Sequence, residues 1–152
     1  MLLADPDKAL AQLYRTTKPG GICYITSWNR LGHKDIATKV IKRLRGEKEQ
    51  WDIPPNFWKE EWNDPAHLTS KLEQFGFKEC AAEIKLEYIH YPAPEGFPFA
   101  VENLPKLYAN WVTLKEGEEE PWGTIWEEEL LPYDTSEGVK IPMWANIAWG
   151  KK

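Results

Sequence analysis

Residues 5–28 read DPDKALAQLYRTTKPGGICYITSW, and this stretch predicts a helix, a glycine turn and a buried strand in succession. Asp5 can accept hydrogen bonds from the first free N–H groups of a helix, and Pro6 suits the first helical position because it has no N–H to lose. Pro19 is expected to end the helix, and the two glycines after it supply a turn that can take positive φ. The run from Ile22 to Trp28 is β-branched and aromatic on both faces, which predicts a strand covered above and below.

The same alternation of helix and strand continues along the chain. A second helix is predicted to begin at Asp64 and Pro65 (DPAHLTSKLEQFGF), a strand to run from Phe77 to Tyr91, and the final VKIPMWANIAWGKK to form a last strand. Together with the turn RTTKPGG at residues 15–21, this series resembles the second half of the class I S-adenosylmethionine-dependent methyltransferases. The resemblance implies the α/β fold class, as a partial Rossmann-like methyltransferase fold whose three strands match the family's fifth, sixth and seventh.

The resemblance does not extend to the half of the family's domain that holds the cofactor. That half carries a Gly-rich loop after its first strand and an acidic ribose-binding residue after its second. Only four residues precede Asp5 here, and the Gly-x-Gly spacing occurs nowhere in the chain. We therefore expect a truncated methyltransferase-like protein without an S-adenosylmethionine site, and no other cofactor.

Composition predicts a single globular domain over residues 1–152. Of these residues 42% are hydrophobic and 28% charged, and the net charge of −5 argues against nucleic acid or an anionic membrane as partner. The two cysteines are spaced for neither a zinc site nor a redox motif, so no metal is expected. No leader peptide or long apolar run precedes the first helix, which favours a cytoplasmic location with reduced thiols.

Two aromatic-rich, mainly helical insertions interrupt the methyltransferase-like series, at residues 29–63 and 92–138. The first carries a basic helix from His33 to Arg45, whose charges are typical of a solvated face rather than of a binding site, and then a lid-like stretch, WDIPPNFWKEEW. The second contains a predicted helix from Phe99 to Leu114, in which Pro105 must lie in the first turn or cause a kink. It continues with Trp122, Trp126 and Leu130, which are four residues apart on one helical face.

The chain has nine tryptophans, and two interpretations of them remain open. They either replace hydrophobic cover that a complete methyltransferase domain would supply, or line a pocket for a flat or apolar metabolite. In the resembled family, insertions at these two places form the substrate pocket. The residues predicted to bind substrate in one cavity above the strand ends are Trp28, Asn29, Phe57, Trp58, Trp62, Trp111, Trp122 and Trp126.

Ionisable candidates for catalysis are few. Strand alternation from Glu83 to Tyr91 places Tyr88 and His90 on the apolar face, next to the second insertion. A neutral imidazole at His90 could act as a general acid or base near neutral pH, with Tyr88 beside it. A hydrogen-bonded histidine of purely structural role is the alternative.

Two functional classes follow, and a third possibility is that the chain is a fragment of an active small-molecule methyltransferase. The first is a cofactor-independent cyclase, isomerase or lyase acting on an apolar or aromatic small metabolite, as in secondary metabolism. The second is a non-catalytic pseudo-methyltransferase subunit that binds and regulates a partner enzyme. Because the strand from Ile22 to Trp28 lacks the neighbour it has in the family, we also expect a homodimer or an obligate heteromer.

The missing cofactor loop yields a direct prediction. Purified protein should neither bind S-adenosylmethionine nor transfer its methyl group, because no loop is present to approach the methionine portion. Titration calorimetry tests this. A micromolar dissociation constant, which requires about 8 kcal/mol of specific contacts, would contradict it.

Overall fold

The computed structural model describes residues 5–49 and 60–152, which form an α/β structure. Its α-helices are α1 (Pro6–Thr16), α2 (Gly32–Arg45), α3 (Pro65–Gln74), α4 (Gly96–Val112) and α5 (Glu119–Leu130). Short 3-10 helices span Glu60–Asn63 and Leu131–Tyr133. The strands are β1 (Ile22–Leu31), β2 (Lys78–Pro92), β3 (Asp134–Thr135) and β4 (Gly138–Lys151).

The last strand, β4, lies in the middle of the sheet. The order is β1-β4-β2, with the two-residue β3 paired antiparallel to β4. The N–H of Lys152 donates to the carbonyl of Gly21 at 2.9 Å, so the end of β4 lies beside the start of β1. A Cβ added at Gly150 would lie 2.8 Å from the Sγ of Cys80, so the end of β4 also lies beside the start of β2. The three long strands are therefore antiparallel neighbours, and β1 is an edge strand among the described residues.

The prediction that β1 is covered on both faces was wrong. Its residues alternate between exposed and buried, with Cys23, Ile25 and Ser27 facing inward. Tyr24 is 63% exposed and Ile22 55% exposed. The error arose because β-branched and aromatic residues on both faces are typical of a strand covered on both sides, whereas here only one face has helices against it.

The first of two compact units comprises Met1–Arg30, Pro55–Glu87 and Trp144–Lys152. In it, α1 and α3 bury Leu10, Leu68 and Leu72 against the inner face of the sheet. Both helices begin as predicted. Asp5 Oδ1 accepts a hydrogen bond from the N–H of Lys8, and Asp64 Oδ1 accepts one from the N–H of Ala66, each at 2.9 Å.

The second compact unit comprises Leu31–Pro54 and Tyr88–Met143, residues that overlap the two predicted insertions. Its core is built by α2, α4 and α5 together with Val139 and Ile141 of β4. Trp122, Trp126 and Leu130 are all buried on one face of α5, as their spacing predicted. The assignment of residues 1–152 to a single domain stays a prediction.

Pro105 lies in the interior of α4, neither in its first turn nor at its end. An interior proline removes one hydrogen bond of the helix and costs about 3 kcal/mol. The burial of Leu104 and Tyr108 on either side of it favours the helix despite this cost. The carbonyl of Pro105 accepts a hydrogen bond from the indole Nε1–H of Trp122 at 3.1 Å, which ties α4 to α5.

The basic helix α2 is not simply a solvated face, because two of its arginines pair with acidic residues on or next to α5. Arg43 forms ion pairs with Glu128 and Glu129, the latter at 2.8 Å. The guanidinium of Arg45 lies 2.6 Å from a carboxylate oxygen of Glu118, and both side chains are largely buried, at 10% and 16% exposure. This hydrogen bond lowers the pKa of Glu118 from 4.5 to about 2. The pairing explains why a basic helix occurs in an acidic protein.

The buried positions of β4 change parity part of the way along the strand. Val139, Ile141 and Met143 are buried, and beyond them Asn146, Ala148 and Gly150. The buried positions therefore shift by one residue between Met143 and Asn146.

No helix among the described residues has both the length and the apolar composition needed to cross a membrane.

Two helical glycines provide a matched stability test of the second unit. A Cβ at Gly32 would lie 2.2 Å from the carbonyl oxygen of Pro142, whereas a Cβ at Gly123 meets nothing within 4 Å. We expect Gly32→Ala to lower the free energy of unfolding by about 1–3 kcal/mol through overpacking. Gly123→Ala should raise it by about 0.5–1 kcal/mol through helix propensity. Urea denaturation measures both, and equal effects would contradict the close approach at Gly32.

Candidate functional site

A cavity of ≈ 340 Å³ lies in the second unit where β2 gives way to α4. Tyr91 and Phe99 form its aromatic walls, with ring centroids 5.5 Å apart. Glu95 also lines the cavity. Gly96 allows the first turn of α4 to lie against the end of β2, because a Cβ there would be 1.9 Å from the carbonyl oxygen of Tyr91. The volume is at the lower end of the range for small-molecule pockets.

A histidine and a tyrosine form a hydrogen-bonded pair in the same unit. Nδ1 of His33, in the first turn of α2, shares a hydrogen bond with the hydroxyl of Tyr108 in α4. Tyr108 is fully buried. Burial lowers the pKa of His33 from 6.5 to about 4, although Asp35 opposes the shift. The imidazole is therefore neutral at pH 7.

Burial affects both the tyrosine of this pair and the tyrosine of the cavity. It raises the pKa of Tyr108, and the nearby Asp35 and Tyr91 raise it further. Burial likewise raises the pKa of Tyr91, whose ring lines the cavity. Both phenols thus keep their protons at neutral pH and can donate hydrogen bonds, and the neutral imidazole can accept one. The lowered pKa of His33 makes it a weak base, so its contact with Tyr108 is a structural hydrogen bond of this unit.

Tryptophans surround the buried tyrosine. The ring of Tyr108 lies 5.2 Å from that of Trp111 and 5.3 Å from that of Trp126, and Trp122 packs edge-on against Trp126 at 5.9 Å. Trp122 and Trp126 are both buried, so they are core residues of this unit. The indole Nε1 of Trp126 is buried without a hydrogen-bond partner among the described residues.

The predicted catalytic residues Tyr88 and His90 lie on the exposed part of β2. Tyr88 is 55% exposed. His90 is also exposed, and its Nε2 lies 3.0 Å from the carbonyl oxygen of Glu137, within hydrogen-bond distance. Neither lines the Tyr91 cavity. Their catalytic role stays a prediction.

The predicted substrate-binding residues of the first unit are placed separately. Trp28 is 37% exposed, whereas Trp62 is only 2% exposed. The amide of Asn29 donates to the carbonyl of Asn63 at 2.9 Å, which is a structural contact. Phe57 and Trp58 lie outside the described residues. The convergence of all ten predicted site residues on one cavity stays a prediction.

Sequence reasoning missed the cavity and the pair formed by His33 and Tyr108. The sequence placed His33 at the start of a basic helix, as α2 has it, but gave no indication that it meets Tyr108, 75 positions further along the chain. No local pattern reports such a contact. The available signal was the burial spacing of α4, which sets Leu104 and Tyr108 on the inward face.

A second, polar cavity of ≈ 250 Å³ lies in the first unit, lined in part by Asp5, Asp7 and Glu61. Lys71 already pairs with Asp7 at 2.9 Å. Over residues 5–49 and 60–152, no group of three or more His, Cys, Asp or Glu side chains is arranged to hold a metal ion.

Comparison with known proteins gives only distant structural similarity. No protein-family model matches the chain, and no curated protein matches it. Among solved structures, it is similar to Haemonchus contortus phosphoethanolamine N-methyltransferase 2 in complex with phosphomonomethylethanolamine and S-adenosylhomocysteine. The identity is 17% and the TM-score 0.36, over 99% of this chain and 31% of that chain. A selenomethionine form of that enzyme with S-adenosyl-L-methionine matches at 18% identity and a TM-score of 0.33, over 99% and 30% of the two chains. The chain spans about a third of the length of the solved structures it matches.

The pair formed by His33 and Tyr108 should make stability depend on pH. The unfolded chain binds a proton at His33 below about 6.5, whereas the folded protein does so only below about 4. The free energy of unfolding should therefore have its full value above pH 6.5 and decrease by up to roughly 3 kcal/mol as the pH falls to 4. Urea denaturation at several pH values measures this.

His33→Gln is the control, because glutamine can still hydrogen-bond the Tyr108 hydroxyl but does not titrate. In this variant, the free energy of unfolding should change much less between pH 6.5 and pH 4 than it does in the wild type. Glu118 contributes only below pH 4.5, where its pKa is lowered to about 2, so its effect falls in a separate range. An unchanged slope in His33→Gln would show that other groups cause the dependence.

Proposed function

We propose that this protein binds an apolar or aromatic small molecule at the Tyr91 cavity and acts on it by acid–base chemistry without a cofactor. The observation that carries the proposal is the pair of aromatic side chains, Tyr91 and Phe99, which line the cavity with ring centroids 5.5 Å apart. The aromatic walls suit a flat apolar ring, and the protonated phenol of Tyr91 can orient a polar substituent on it.

The chemistry suited to this site is proton transfer within a bound molecule. An isomerisation, cyclisation or elimination needs one group that gives a proton and one that takes it. Tyr91 can donate at the cavity, whose lining also includes the carboxyl group of Glu95 as an acceptor. The exposed residues Tyr88 and His90 form a second possible acid–base set, and the two sets make different predictions for mutants.

The scaffold supports a relationship to methyltransferases as part of this proposal. The turn RTTKPGG precedes β1, and the last strand lies beside β1 in the middle of the sheet. This is the neighbour that the resemblance implies for the family's fifth strand. We infer a methyltransferase-derived scaffold that carries an added helical unit for binding a small molecule.

The non-catalytic alternative also has an observation in its favour. The outer face of β1 exposes Ile22 and Tyr24 by more than half, as a surface that binds another protein would. A subunit of this kind would need the sheet surface and not the cavity. Variants in the cavity therefore discriminate between the two functions.

Binding at the cavity should depend on Phe99. Flat phenols such as 2-naphthol and 7-hydroxycoumarin serve as probes, with titration calorimetry as the measurement. Phe99→Ala should weaken binding about tenfold, equivalent to about 1.4 kcal/mol, because it removes one aromatic wall. Tyr91→Phe should weaken binding of the phenols but not of naphthalene, since it removes only the hydroxyl.

Leu107→Ala is the matched control, because Leu107 is an exposed apolar residue on the same helix and does not line the cavity. Equal weakening by Leu107→Ala, or no binding by the wild type at millimolar probe, would contradict the site. Once a turnover assay exists, His90→Ala should lower the rate by roughly two to four powers of ten if His90 is the acid or base. An unchanged rate would leave Tyr91 and Glu95, which line the cavity, as the acid–base set.

A further inference from the structure

The outer edge of β1 is the least protected feature of the first unit. Within the part of the chain that the structure describes, β1 pairs with β4 on one side and with no strand on the other. No proline, lysine or other charged residue lies between Ile22 and Trp28. Edge strands in native proteins are usually blunted by such residues, because free N–H and C=O groups invite pairing with another chain.

The side chains along this edge are apolar as well as exposed. Ile22, Tyr24 and Trp28 are 55%, 63% and 37% exposed. Taking roughly 150–250 Å² for a fully exposed large side chain, these three offer on the order of 300 Å². A standard interface buries about 800 Å² on each partner, so these three side chains provide less than half of that area. The backbone and the other side chains of the strand must provide the rest of the buried area, and the backbone hydrogen bonds between the two strands add to the stability of the contact.

We propose that β1 pairs antiparallel with β1 of a second copy of this chain, about a two-fold axis that passes beside Thr26. Thr26 is the midpoint of Ile22–Arg30, so this register uses the whole edge that belongs to the first unit. It places Tyr24 of each copy opposite Trp28 of the other. The sheets of the two copies then become one continuous sheet, with the two β1 strands at its centre.

The sequence of β1 is self-complementary in this register. The two Tyr24–Trp28 pairs are aromatic cross-strand pairs, which stabilise neighbouring antiparallel strands. Arg30, the only charged residue of the strand, lies opposite Ile22 of the other copy and not opposite its own symmetry mate. A register centred on Arg30 would bring two guanidinium groups together and leave most of the edge unpaired. Charge and aromatic pairing therefore both favour the centre at Thr26.

A second copy of this chain carries the same strand, so it can form these hydrogen bonds and aromatic pairs without another kind of partner protein. A two-fold contact also closes on itself, which prevents the edge from recruiting more copies into a fibre. The inference does not rest on the proposed small-molecule function, because the cavity lies in the second unit.

A charge swap at Thr26 tests both the partner and the register. Thr26 is exposed, and in this dimer it faces Thr26 of the other copy. Thr26→Lys and Thr26→Glu should each weaken the dimer at least tenfold, because each places like charges directly opposite one another. An equimolar mixture of the two variants should form a heterodimer whose dissociation constant is within about threefold of the wild-type value.

Sedimentation equilibrium from 1 to 100 µM provides the dissociation constants. Thr124→Lys and Thr124→Glu, at an exposed threonine on α5, are matched controls that should leave the dimer unchanged. Near-ultraviolet circular dichroism shows whether each variant keeps its tertiary structure. A monomeric wild type at 100 µM would overturn the proposal. A dimer insensitive to both Thr26 variants, or a mixture that fails to recover, would overturn it equally.

Discussion

The hydrogen bonding of β4 on both of its edges is the constraint on which this structure depends. β4 begins at Gly138, where a Cβ would lie 2.1 Å from the carbonyl oxygen of Tyr91, and runs to Lys151 beside Cys80 and Gly21. Val139 and Ile141 belong to the core of the second unit, and Ala148 to that of the first. Removing β4 would leave β1 and β2 with no partner among the described strands, since the sheet order has β4 between them.

Aromatic residues of the second unit occupy two different environments. Trp122 and Trp126 are buried in its core, and their predicted role in substrate binding stays a prediction. Tyr91 and Phe99, which did not stand out in the sequence, form the walls of a cavity. The number of tryptophans therefore did not indicate where this cavity lies.

Local chemistry was predictable from the sequence, and distant contacts were not. The caps at Asp5 and Asp64 depend on residues within three positions, so their pattern is complete in the sequence. The open face of β1 and the contact of His33 with Tyr108 depend on which elements lie nearby in space. Alternation alone cannot tell a strand covered twice from one covered once when apolar residues occupy both of its faces.

The central position of the last strand has a consequence for synthesis on the ribosome. β1 emerges more than about 100 residues before β4, and translation proceeds at roughly 5–20 residues per second. For about 5 to 20 seconds, a strand carrying Ile22, Tyr24 and Trp28 exists with no partner strand on either side. A nascent chain in this state is a substrate for chaperones, and neighbouring ribosomes on one message bring several such strands close together. Slower decoding between α4 and β4 would lengthen that interval, so codon choice in this segment should affect how much of the protein reaches its folded state.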